Sequence, residues 1–84
     1  MKSERLTSAQ IRAARALLRW SAVDLAEASS VAANTIRRAE VADGPTPLTT
    51  ANHLAIRRAL EEAGVDLIEK NGGGAGVRLR KDPE

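Results

Sequence analysis

The chain has no cysteine, no phenylalanine and no tyrosine, and it carries a single tryptophan, Trp20, and a single histidine, His53. Without cysteine there is no disulfide scaffold, no thiol nucleophile and no zinc site built on thiolates. His53 has no second histidine or thiol to share a metal with, so it is expected as a surface or half-buried side chain. Trp20 is expected as a core or edge aromatic rather than a platform for base stacking. No apolar run approaches the ~20 residues that span a bilayer, and there is no signal-peptide apolar region. The expectation is a soluble, cytoplasmic module with no cofactor, no metal, no membrane partner and no small-molecule ligand.

Enzymatic chemistry also finds little to stand on. At 84 residues, the chain buries only about two-thirds of its unfolded surface, and an enclosed catalytic cavity would hollow out the only core available. Ser21, Ser29 and Ser30 have no His and Asp partners at hand for a hydrolase triad. The stretch Asn71-Gly72-Gly73-Gly74-Ala75-Gly76 superficially resembles a phosphate loop, but it precedes a strand and lacks the Lys-Ser/Thr pair. The chain is therefore not expected to be an enzyme.

What is present is 43% hydrophobic and 29% charged residues, enough to fold. The formal charge of +2 is uninformative until it is divided along the chain. Residues 1–20 carry +4, residues 21–44 carry −2, residues 45–70 carry −1 and the last fourteen carry +1. Basic groups thus concentrate at the start and in the pairs Arg37-Arg38 and Arg57-Arg58, with acid between them. A modest total can hide a basic face of this kind.

Periodicity predicts four helices. Ile11, Ala14, Leu17 and Leu18 recur at helical spacing between Thr7 and Trp20, behind a Thr7-Ser8 cap signal. Ser21 followed by Asp24 reads as a capping box opening a second, short helix with Val23, Leu25, Ala26 and Ala28, interrupted at Ser29-Ser30. A third helix is expected from about Ala33 to Ala42, with Ile36 and Ala39 inward and Arg37 and Arg38 outward. Asp43-Gly44-Pro45-Thr46-Pro47 is a break. A fourth helix runs from about Thr49 to Ala63, with Leu54, Ala55, Ala59 and Leu60 as the expected buried stripe and Gly64 as the stop. Residues 65–69 and 77–81 alternate as strands of a hairpin. A lone hairpin is marginal in water, so it must pack on the helices or pair with a second copy.

The two short helices and the tight turn between them are the strongest signal. Leu25, Ala26, Val31, Ile36 and Ala39 have the spacing of a helix-turn-helix, with Ala26 small where the helices approach closely. The string Asp24-Leu25-Ala26-Glu27, then Val31, then Asn34-Thr35-Ile36-Arg37-Arg38-Ala39-Glu40 resembles the XRE-type family, which includes the phage repressors. The resemblance covers residues 5–63. It implies a mainly α, four-to-five-helix repressor-like helix-turn-helix domain over residues 5–63, with the motif at about 22–41. Residues 64–81 would form a C-terminal β-hairpin and a candidate dimer element. The family often has glycine in the turn where this chain has Ser30; a non-glycine residue can adopt a left-handed conformation there at some cost.

The major groove of B-DNA admits one α-helix, and its base edges carry a donor and acceptor code that Asn, Arg and the Thr methyl can read. By position in the family's motif, Ala33, Asn34 and Arg38 are expected at base edges, and Thr35 and Arg37 at a base or a phosphate. Ser21 and Ala22 begin the helix whose end abuts the DNA backbone in the family; Ala22 stands where a phosphate-binding Gln is common. Thr46, Thr49 and Thr50 surround the start of the fourth helix, as further backbone contacts or as plain caps. The family's pattern pairs Arg15 with Glu40 as a structural ion pair between the first and third helices. Arg12 and Arg19 share Arg15's stripe, and their role stays open.

The resemblance implies sequence-specific binding of double-stranded DNA by a small transcriptional regulator, expected as a repressor and a homodimer in a bacterial or phage setting, associated with the nucleoid. The alternative is a protein-partner module, such as an antitoxin or adaptor, with DNA binding secondary.

Overall fold

A computed structural model describes residues 5–42, 46–70 and 72–80. The expected break at Asp43–Pro45 and the residues Asn71 and Lys81 lie outside the described residues. Helix α1 spans Ser8–Leu18, α2 Ala22–Ser29, α3 Ala33–Val41 and α4 Thr50–Glu62; strands β1 (Val65–Ile68) and β2 (Gly76–Leu79) follow. The domain is mostly helical, with one two-stranded antiparallel hairpin. No helix among the described residues is long and apolar enough to cross a membrane.

Three of the four helices start where the sequence carries a side-chain cap; α3, which begins after Ala32, does not. Thr7 accepts from the Gln10 N–H while the Gln10 carboxamide accepts from the Thr7 N–H, a reciprocal box at the head of α1. Ser21 and Asp24 form the same arrangement at α2, at 3.0 and 2.9 Å. Thr49 accepts from the Asn52 N–H at the head of α4. Ser30 ends α2 in the left-handed region, φ 62°, with its N–H donating to the Ala26 carbonyl. A serine thus does the work expected of glycine in that turn. Gly64, φ 108°, follows Ala63 beyond α4 and turns the chain into β1.

The core is one cluster to which all four helices and β1 contribute: Leu6, Ile11, Leu25, Ile36, Ile56, Leu60 and Val65 are its largest fully buried side chains. Trp20 packs partly buried against it. Several expectations shift here. The buried stripe of α4 is His53, Ile56, Ala59 and Leu60, while Leu54 is 56% exposed and Ala55 half-buried. At about 100° per residue, Leu54 lies ~160° around the helix from Ile56 and so faces away. Leu17 and Val23 are likewise exposed, being outside the arcs centred on Ile11-Ala14 and Leu25. His53 is only 5% exposed, because its Nε2 accepts the Leu6 N–H at 2.9 Å. A helix with several apolar candidates does not reveal its rotation until such a long-range bond is known.

The hairpin pairs Val65 with Leu79 and Ile68 with Gly76, so β2 begins one residue earlier than the alternation predicts. It finds its support within the chain, against α1 and α4. Val65 is fully buried, Leu67 and Val77 pack on the core, and the Gln10 side chain donates to the Ile68 and Gly76 carbonyls at 3.1 and 3.0 Å. The instability of a free hairpin therefore no longer argues for a second copy. Removing residues 65–84 would strip core rather than release a folded monomer.

Candidate nucleic-acid interface

The residues singled out for recognition lie on α3. At helical spacing Asn34, Arg37, Arg38 and Val41 form its exposed face, opposite Ile36, Ala39 and Glu40, which are buried. Ala33 and Thr35 are half-buried at the flanks of that face. Arg37 Nη1 donates to Asn34 Oδ1 at 3.3 Å. An Asn that reads adenine uses both amide atoms, so this exposed bond would compete with such a contact. Arg38 has no partner among the described residues, and it lines a shallow cleft with Thr35, Pro47 and Leu48. The only carboxylate on α3 is Glu40, and it is turned inward.

Glu40 is neutralised in place. Arg15 Nε and Nη2 donate to its two oxygens at 2.7 and 2.8 Å, and Arg15 Nη1 donates to the Trp20 carbonyl at 2.8 Å. The expected pair between the first and third helices is therefore formed, with two parallel bonds. Those bonds, and the nearby charge, raise the Arg15 pKa above its ordinary value despite partial burial. The consequence for the surface is direct: the exposed face of α3 carries two cations and no compensating acid.

The expected backbone contacts divide. Thr49 and Thr50 are exposed at the head of α4, and Thr49 is also its cap, so the two readings of that residue are compatible. Thr46 is only 4% exposed; its hydroxyl is buried without a hydrogen-bond partner among the described residues and cannot reach a backbone phosphate. Ala22 belongs to the core, which leaves only its main chain for any contact. At Ser21 the N–H is already taken by the Asp24 carboxylate, which puts an exposed negative charge at the start of α2. The start of α2 is thus a weaker anion site than a bare helix N-terminus.

Four residues with evident structural work were not anticipated. Gln10 joins the α1 cap to the hairpin, and the Thr7-x-x-Gln10 spacing was a legible capping signature. His53 anchors Leu6, Arg5 donates to the Thr46 and Leu48 carbonyls, and Ser8 Oγ donates to the Ala42 carbonyl. These last three have no local sequence signal, since their partners lie 34 to 47 residues away. Compared with known proteins, the chain matches no protein-family model and no curated protein sequence.

Proposed function

We propose that this chain is a repressor-like helix-turn-helix domain that binds double-stranded DNA sequence-specifically, with α3 as the helix that enters the major groove. The observation that carries the reading is the outward face of α3. Asn34, Arg37 and Arg38 stand there on one side of a short helix whose single carboxylate is buried against Arg15. Asn and Arg are the side chains that bond adenine and guanine through two atoms, and an unopposed cationic face suits the negative potential of the groove. Ala33 and Thr35 flank the contact and suit a thymine methyl. Thr49 and Thr50, exposed at the start of α4, supply backbone contacts, and Ser21 adds at most a weaker one because Asp24 holds its N–H. The protein acts as a small transcriptional regulator, a repressor that works by occupying its site, and gains affinity as a homodimer on two half-sites about one DNA turn apart.

The test is a titration of labelled duplexes drawn by selection from random sequence, repeated at several salt concentrations. The reading expects one sequence to be enriched and its affinity to fall steeply as salt rises, because phosphate contacts release counterions. Enrichment of no sequence, together with salt-independent capture of a protein partner, would instead support the antitoxin or adaptor reading.

A further inference from the structure

We propose that Arg12 and Ser8 are positioning residues that set the orientation of α3 by gripping its C-terminal carbonyls, and that Arg12 is not a phosphate contact. Helix α3 has only nine residues, and Ala32 at its start offers no side-chain cap. The last carbonyls of any helix lack intrahelical donors. Here α1 supplies them: Arg12 Nη1 donates to the Glu40 carbonyl and Ser8 Oγ to the Ala42 carbonyl. Ser8, Arg12 and Arg15 stand four and three residues apart, so they form one stripe of α1. That stripe addresses the Ala42 carbonyl, the Glu40 carbonyl and the Glu40 carboxylate, all within the end of α3 and the residue after it. A guanidinium there also meets the negative end of the helix dipole. Held at this end, α3 has its tilt and rotation fixed by α1, while Asn34, Arg37 and Arg38 are left to face outward.

The functional half of this inference rests on the DNA-binding reading; the mechanical half does not. The experiment compares Arg12→Met, which keeps the apolar stem and removes the donors, with Ser8→Ala and with Arg19→Ala, a change at the exposed arginine that follows α1 as its C-cap and lies outside the grip. Amide hydrogen exchange is followed on the whole chain without DNA, and affinity for the duplex selected by the unaltered chain is followed across a salt series. For Arg12→Met, the amides of the last turn of α3 should exchange about tenfold faster while those of α2 are unchanged, and affinity should fall about tenfold. The slope of log affinity against log salt should stay the same. Unchanged α3 exchange overturns the proposal, and so does a slope smaller by about one, the mark of a lost phosphate contact. If Arg12→Met does not fold, Ser8→Ala supplies the same comparison. Failure of the unaltered chain to bind any duplex overturns the DNA-binding reading, and the exchange data still decide the grip.

Discussion

Breaking the link between α1 and α3 should be strongly asymmetric. Glu40 is 7% exposed and Arg15 24% exposed, and two short bonds join them. Arg15→Met removes both bonds, and a third to the Trp20 carbonyl, and leaves a buried carboxylate with no cation. Loss of one partner from a buried pair costs ~3–5 kcal/mol. Because water reaches the arginine side, the lower end, about 3 kcal/mol, is the better figure. Glu40→Gln instead keeps one acceptor for the guanidinium, which retains its bond to Trp20 and its access to water; the cost is about 1–2 kcal/mol. For a chain this small the whole stability is on the order of 5 kcal/mol, so the first change consumes most of it and the second does not. Urea unfolding followed by circular dichroism, with a slope of about 1 kcal/mol per molar, would separate the midpoints by 1–2 M. The double change Arg15→Met with Glu40→Met should recover much of the loss, since no charge is then stranded. Equal costs for the two single changes, or both below about 0.5 kcal/mol, would refute the picture of a buried, one-sided pair.

Two further outcomes follow from other groups. Burial, and then the charges of Arg5 and Arg57, lower the His53 pKa from its ordinary value, and the neutral ring is the acceptor for Leu6. A folded-state pKa below the unfolded value of 6.5 means that His53 contributes stability at neutral pH. That contribution declines as pH falls below 6.5 and is gone once pH passes the folded pKa. His53→Gln should flatten this part of the stability profile, and an unchanged slope below pH 6.5 would contradict the assignment. At the head of α2, Asp24→Asn keeps an acceptor for the Ser21 N–H and removes a charge from the approach of a phosphate. A unit charge at ~4 Å in water is worth about 1 kcal/mol, so DNA affinity should rise about fivefold at low salt and the gain should fade at high salt. No change at low salt would place that helix end away from the DNA.

The elements were legible because their signals are local. Caps at Thr7, Ser21 and Thr49 and the stop at Gly64 lie within a few residues of what they control. Ser30 kept its turn despite the missing glycine, since one left-handed serine is tolerable when its N–H closes the last turn of α2. Rotation about helix axes was harder. Leu54 is as apolar as Ile56 and Ala55 is apolar too, and only the bond from Leu6 to His53 and the packing around it decide which faces inward. The outward face of α3 was readable from spacing, whereas the burial of Thr46 and the competition of Asp24 for Ser21 depend on contacts that composition does not encode. The hairpin's partner was also unreadable, because the carboxamide that fastens it, Gln10, lies 58 and 66 residues away along the chain.

The central claim is that the exposed face of α3 reads base edges, and its most direct measurement is the affinity of Asn34→Ala and Arg38→Ala for a selected duplex and for an unselected one of equal length. The account predicts a loss of ~1–3 kcal/mol for each change on the selected duplex, with relaxed discrimination at one base pair, and little loss on the unselected one. Equal affinity of both variants and the unaltered chain for the selected duplex would contradict it.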